Sequence, residues 1–422
     1  MAAGRGFRLW VAGSALVGLI LRLTWGLRVD RPPQGLYDPA RYVGYARAIA
    51  GGRGMIEPLS GFPTAYYPPG YPWFLGIITW LGRPLTDSVV TIAVVVQALL
   101  GAATVVLAAL VARRLAGPRA GVVAAAAMAV YPNLIFHSGA VLGETLYNFL
   151  FLAFCAIALG RAWPRSLTRA RIGGAAVVLG LAVMVRPISL AVLPAVGLAW
   201  WLADRDLRRT AGRMAILLAG VVLVVAPWTT RNAVRMHELV PISTNTGDNL
   251  CIGHGPEATG AFRAAEDCVT KYNFLDGPAD EVAADKAKTR TAIDAIGSDP
   301  GREPWLAWRR FWFMWVRDGD HDGLLAVQSY RADRFISPTT EARLAYGADL
   351  AYWLVCIAGV AGAVSVGLRR RPEGLFILGC ALMTALVPLA FFGDSRFKVP
   401  VIPLLIVLGA CLVPSRPEAT DR

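Results

Sequence analysis

Charge is scarce in this sequence. Only 17% of its 422 residues are Asp, Glu, Lys or Arg, against 55% hydrophobic, and the mean hydropathy is +0.49. A soluble chain of this length needs more polar surface, so the composition excludes an ordinary globular protein and indicates a polytopic membrane protein. A P-loop, zinc-ligand spacing and a Gly-x-Ser-x-Gly elbow are all missing. Nucleotide hydrolysis and soluble-hydrolase mechanisms therefore have no support. No internal repeat relates the two halves, which weighs against a transporter built from inverted repeats.

The charge that is present is unbalanced. Forty-two Lys and Arg against 29 Asp and Glu give +13, a surplus that elsewhere suggests nucleic acid. Here the arginines cluster between apolar runs, the pattern of membrane topology, so no nucleic-acid partner is expected. At about 20 apolar residues per crossing, the chain reads as an all-α bundle of about ten transmembrane helices. The spans run about 8–28, 88–112, 120–137, 141–160, 172–186, 188–203, 214–229, 347–368, 374–392 and 397–413. The first has Arg5 and Arg8 before it and Arg22 within it, without a small-x-small cleavage site, and reads as an uncleaved span. Under this count every short basic cluster falls on one side. Both termini are then cytoplasmic at the plasma (inner) membrane, and two structured loops, 29–87 and 230–345, face outward. The domains follow: a first helix to 28, the first outer loop, a membrane core over 88–229, the large outer loop, and C-terminal helices over 346–422.

The outer loops carry their own signals. Residues 72–81 form an apolar helix too brief to cross, and 280–296 pattern as an amphipathic helix closed by Gly297-Ser298-Asp299-Pro300. Residues 305–316 (WLAWRRFWFMWV) suit a helix lying among headgroups, the alternative being a broken eleventh span. Cys155, Cys356, Cys380 and Cys411 fall in spans and behave as small apolar residues. Cys251 and Cys268 share an oxidising loop, either as a disulfide or as two unpaired thiols. Asp318, Asp320, His321 and Asp322 have oxygen-rich character without the spacing of a metal loop and read as a solvated turn. No metal or other cofactor is assigned.

The chemistry lies at the outer ends of the spans. Asp38 follows span one, Glu144 starts span four, and Arg186 marks the turn between spans five and six. Arg231 and Asn232 end span seven, while Arg396 and Lys398 stand before span ten. Snorkelling to headgroups is the plain explanation for each cation. The positive-inside bias nevertheless makes outer-end arginines unexpected, and ionisable groups at membrane depth are functional candidates. Two acids and several cations under a lipid-facing rim suit a sugar carried on a lipid phosphate. The cations stabilise the phosphate as it leaves, and a carboxylate takes the proton from the attacking hydroxyl. With no nucleotide-binding motif, the donor must arrive activated in the membrane, as a polyprenyl-phosphate sugar.

The motifs resemble those of GT-C glycosyltransferases, most nearly bacterial relatives of the protein-mannosyltransferase and aminoarabinose-transferase branch. They are Asp38-Pro-x-x-Tyr42, Tyr66-Tyr67-Pro-Pro-Gly-Tyr-Pro72, Gly143-Glu144-Thr145, Arg186-Pro187 and Pro227-Trp228-x-x-Arg231-Asn232. Two more follow: Ile242-Ser-Thr-Asn-x-Gly-x-Asn249-Leu with Gly253-x-x-Pro256-x-Ala258-x-Gly260, and Arg396-Phe397-x-Val-Pro400-x-x-Pro403. The resemblance implies a helical core of about seven spans with a variable module, and inverting transfer to an extracytoplasmic glycan, lipid or protein hydroxyl. It makes Asp38 the general base, with Glu144 assisting the acceptor or bracing an arginine. It gives Arg231, Arg396, Arg186 and Lys398 to the donor phosphate, with Tyr66 and Tyr67 lining that pocket or orienting the sugar. Tyr42, Asn232 and Asn249 fall to substrate binding. Two positions depart from the pattern: Tyr67 stands where related transferases often have Lys, and His254 where many have Asn. A lipid transporter or flippase, and a non-catalytic envelope assembly subunit, are the competing functions. Tolerance to loss of Asp38 separates the subunit from the enzyme.

Overall fold

The apolar stretches form helices because each is rich in Leu, Ala and Val, bounded by proline or a polar cap. A computed structural model describes residues 2–34, 38–160, 163–164, 167–263, 268, 277–319, 324 and 336–413. The chain opens with α1 (Ala2–Arg28), then two short helices in the first loop, α2 (Asp38–Ala50) and α3 (Gly70–Gly82). The core continues through α4 (Val89–Ala116), α5 (Pro118–Val130), α6 (Pro132–Ser138), α7 (Glu144–Leu159), α8 (Arg169–Val185), α9 (Leu193–Asp204) and α10 (Leu207–Met236). The second loop contributes α11 (Thr246–His254), α12 (Pro278–Ser298) and α13 (Glu303–Trp315). Helices α14 (Pro338–Arg369), α15 (Pro372–Leu386) and α16 (Ile402–Ala410) finish the bundle. Among the described residues there is no strand beyond two isolated bridges.

Side-chain caps set several boundaries. Ser88, Thr168, Asp206 and Ser337 each accept from the amide three residues on, satisfying a donor that a helix start leaves open. At the bundle centre α4 packs against α1, α5 and α7, and α16 packs against α14, α5 and α4. Residues Ile402 to Leu408 of α16 are all buried, as a helix apolar on every side must be. The interruption at Arg22 also has a cause. Its guanidinium is buried and donates to the carbonyls of Gly18 (3.1 Å), Ala129 (3.0 Å) and Met128 (3.0 Å). The last two end α5, where Pro132 breaks the helix and the chain bends by 55° into α6. A cation in the first span thus caps the carbonyls that the proline strands.

Length and composition of the described helices do not by themselves yield the expected ten spans. Among the described residues, six helical stretches are long and apolar enough to cross a membrane, or seven if the bent α5–α6 pair is one span. Helices α7, α8 and α16 have 16, 17 and 9 residues, or ~24, ~26 and ~14 Å at 1.5 Å per residue, against ~30 Å of hydrocarbon. The shortening falls at ends that carry charge: α7 begins at Glu144, α8 stops before Arg186-Pro187, and α16 starts after Arg396 and Lys398. These segments leave the helix where their polar residues are needed. The chain remains a multi-pass, all-α membrane protein.

Helices α12 and α13 of the second loop each turn one face inward. Helix α12 turns Val282, Ala284 and Ala292 inward, and α13 buries Leu306, Arg310 and Met314. Trp305, Trp308, Phe311 and Trp312 of α13 are exposed.

Candidate functional site

Four chain segments end at one place. Asp38 is the first residue of α2 and Glu144 the first of α7. Arg186 caps the end of α8 in an extended conformation that Pro187 imposes on its predecessor. Arg396 sits in a single turn, Ser395–Lys398, whose start is fixed by Asp394 accepting from the Arg396 amide at 2.9 Å. Two close approaches bring these ends together. A Cβ at Gly70 would sit 2.6 Å from the Met184 carbonyl carbon, so α3 packs directly on the end of α8. A Cβ at Gly253 would overlap the carbonyl oxygen of Phe391, just ahead of the Arg396 turn.

The four side chains form an alternating chain of charge. Arg396 donates from Nη1 to Asp38 Oδ2 at 2.9 Å and from Nε to Glu144 Oε1. Arg186 donates from Nη2 to the same Glu144 oxygen and lies over the Tyr147 ring, 6.0 Å from its centroid. Glu144 is fully buried, whereas the Asp38 side chain keeps 31% of its exposure. A buried carboxylate shared by two guanidiniums holds both in place. The order is therefore Asp38–Arg396–Glu144–Arg186, open to solvent at its Asp38 end.

A tyrosine cluster covers this chain. Tyr67 donates to Asp38 Oδ1 at 2.6 Å. Tyr42 packs against Tyr67 and Tyr71, each with centroids 5.0 Å apart, and Tyr66 meets Tyr67 edge-on at 4.8 Å. Burial, then the charge of Asp38, raises the pKa of both Tyr42 and Tyr67. Both therefore stay protonated, and Tyr67 acts as a donor. Tyr66 points the other way and donates to Asp248, which also accepts from Lys288.

The remaining sequence candidates lie elsewhere. Arg231 is not joined to this chain of charge. Its guanidinium donates to the carbonyls of Thr64 and Met55, both at 2.9 Å, and to Asn232 Oδ1 at 3.0 Å, and it stacks on Trp228. Asn232 is buried and donates to the Val240 carbonyl at 3.0 Å. Lys398 is fully buried, bound to the carbonyls of Met314 and Arg317 and 3.4 Å from Asp318. Asp318 itself accepts from Tyr131 and Asn133, so it tethers the end of α13 to the bundle; Asp320, His321 and Asp322 lie outside the described residues. Asn249 is half-buried on α11. His254 faces Glu303 through Nδ1 and the Ala390 carbonyl through Nε2, each at 2.9 Å. Cys251 and Cys268 are joined as a disulfide. Among the described residues, no cluster of three or more His, Cys, Asp or Glu side chains is placed to hold a metal ion.

Two acids that sequence reasoning passed over position the tyrosines. Glu281 of α12 is buried and accepts from Thr64 Oγ1 (2.6 Å), the Ala65 amide (2.9 Å) and Thr244 Oγ1 (2.6 Å). With Arg231 it clamps residues 64–65, directly before Tyr66 and Tyr67. Asp248 does the same for the Tyr66 hydroxyl. Asp248 stands inside the motif at 242–250, yet nothing in a polar loop distinguishes one carboxylate from its neighbours. An apolar cleft of about 330 Å³ opens at the far end of α2, lined by Ile49, Ala50, Trp73, Gly76, Ile77 and Trp80.

Comparison with known proteins agrees with this arrangement of helices. The sequence profile of the family described as dolichyl-phosphate-mannose-protein mannosyltransferase matches residues 67–230, which is under half of the chain. The apo oligosaccharyltransferase of Archaeoglobus fulgidus superposes with a TM-score of 0.58 at 16% identity, over 96% of this chain and 50% of that one. The described helices share the fold of the membrane part of that archaeal enzyme. The same archaeal enzyme in complex with an inhibitory peptide and a dolichol-phosphate gives a TM-score of 0.51 at 16% identity, covering 94% of this chain and 50% of that chain. ArnT of Cupriavidus metallidurans bound to undecaprenyl phosphate gives 0.46 at 17% identity, covering 95% and 77%. No curated protein sequence matches the chain. The chain spans about half the length of the archaeal structures that it matches.

Proposed function

We propose that this GT-C protein is a membrane glycosyltransferase that moves a sugar from a polyprenyl-phosphate donor to an extracytoplasmic hydroxyl, with inversion at the anomeric carbon. One observation carries the reading. Asp38, the partly exposed end of a carboxylate–guanidinium chain, sits within hydrogen-bond reach of Arg396, which shares Glu144 with Arg186. The archaeal neighbour's complex with dolichol-phosphate supports a lipid phosphate as the ligand of such a fold.

The chemistry divides among these groups. The acceptor oxygen attacks the anomeric carbon as the bond from that carbon to the phosphate oxygen breaks. Asp38 takes the hydroxyl proton. The electron pair leaves on the phosphate, where Arg396 and Arg186 offset the charge. Glu144 and Tyr67 orient, respectively, the arginines and the base. The cleft beside Trp73 and Trp80 lies ~16 Å along α2 from Asp38, eleven residues at 1.5 Å each, and suits a prenyl chain running down from the phosphate. In this reading the site faces outward and both termini are cytoplasmic. The acceptor is a glycan, lipid or protein hydroxyl.

The test is transfer by purified protein in liposomes, using a panel of undecaprenyl-phosphate sugars with acceptor extracts. Asp38→Asn is expected to lower the rate by about 10²–10⁴ with unchanged thermal unfolding, and the wild-type product should carry the opposite anomer to the donor. Undiminished transfer by the variant removes Asp38 from the mechanism. Movement of the lipid across the bilayer without transfer favours the flippase.

A further inference from the structure

Asp38 is not an unoccupied base in this structure. One oxygen accepts from Tyr67 at 2.6 Å and the other from Arg396 Nη1 at 2.9 Å. Both carboxylate oxygens are thus already engaged by a donor. Arg396 is held from the opposite edge, because its Nε is bound to Glu144, which is buried and also tied to Arg186. The guanidinium is therefore anchored at Nε, and its Nη1 end reaches the partly exposed carboxylate. A phosphate entering beside Arg186 and Arg396 seeks the same kind of donor that Asp38 occupies.

We propose that the donor phosphate and Asp38 compete for the Nη1 end of Arg396, so that donor binding pulls the guanidinium away and releases the base. The inference rests on the reading that the chain binds a polyprenyl-phosphate donor. Electrostatics favour the sequence of events. Two carboxylates and two guanidiniums sum to zero, and an incoming phosphate leaves Asp38 facing a second anion without its counter-ion. Taking the proton of the acceptor hydroxyl then neutralises Asp38 as negative charge grows on the leaving phosphate. The base is thus switched on by the leaving group, and the donor binds before a productive acceptor.

Binding of undecaprenyl phosphate to protein in nanodiscs tests this without knowledge of the sugar. Asp38→Asn is expected to bind about tenfold more tightly than the wild type, because the lipid no longer displaces a carboxylate. Arg396→Gln is expected to weaken binding, and in that background Asp38→Asn should have no further effect. Equal tightening in both backgrounds indicates a general field effect and overturns the exchange. So does unchanged affinity of the single variant. Asp38→Ser carries the same expectations should the asparagine variant not fold. If the folded wild type binds no undecaprenyl phosphate, the donor reading itself falls. If it binds and Asp38→Asn has wild-type affinity, only the exchange falls.

Discussion

Replacing Arg231 by methionine separates two roles that look alike in sequence. The substitution keeps an apolar stem of similar length and removes the donors to the Thr64 and Met55 carbonyls, both 2.9 Å away. Met55 and Thr64 are each 1% exposed, so water does not readily replace the lost bonds. A hydrogen bond from a charged group contributes about 1.5–3 kcal/mol. Arg231 is itself half-buried, and the lower end applies to each bond, giving about 3 kcal/mol for the pair. That corresponds to about a hundredfold in a local opening equilibrium. Hydrogen exchange over residues 55–67 should accelerate by about that factor, while the bundle helices remain protected. Transfer should fall because Tyr66 and Tyr67 lose their frame. Affinity for undecaprenyl phosphate should change by no more than about threefold, since Arg186 and Arg396 keep their partners. Loss of lipid-phosphate binding with unchanged exchange at 55–67 would show that Arg231 touches the phosphate, and would refute the clamp.

Two further outcomes follow from buried charge. Arg22→Met strands the Ala129 and Met128 carbonyls at the α5–α6 bend and should lower stability by about 2–4 kcal/mol, read as a drop in thermal unfolding temperature; an unchanged temperature contradicts the capping role. Asp285 of α12 accepts from the Gly247 amide, and burial raises its pKa to about 6 from an ordinary 3.8, with nearby Asp248 adding to the rise. A raised carboxyl pKa favours the fold below 3.8 and loses that contribution as pH rises through about 6. Protection of the α11–α12 contact, corrected for intrinsic exchange, should therefore be greater at low pH than at neutral pH, and Asp285→Asn should flatten the profile.

How much of the site could be read in advance depended on what made a residue unusual. Arg186 and Arg396 stood out because arginines at span ends read as outer run against the positive-inside bias, and Asp38 and Glu144 because ionisable groups at membrane depth are functional candidates; these four meet in one chain of charge. Arg231 and Lys398 stood out for the same reason as the other cations, and Asn232 through the motif it shares with Arg231, but all three bind backbone carbonyls. Sequence cannot tell a guanidinium facing a carboxylate from one facing a carbonyl, because packing between distant segments decides the partner. Glu281 and Asp248 were hidden by their setting, since acids in a polar loop are unremarked until a tyrosine or threonine from another loop meets them. The helices themselves were legible from apolar runs and basic clusters. Their lengths were less so: α7 begins only at Glu144 and α16 only after Arg396 and Lys398, later than the expected spans, whereas α8 runs close to its expected bounds.

The most direct measurement is a cryo-EM structure of the protein in a nanodisc with undecaprenyl phosphate bound. The account predicts the phosphate within hydrogen-bond reach of the Arg396 and Arg186 guanidiniums, with Asp38 and Arg396 farther apart than their 2.9 Å contact here. A lipid phosphate bound on another face, with all four side chains still paired as they are here, would contradict it.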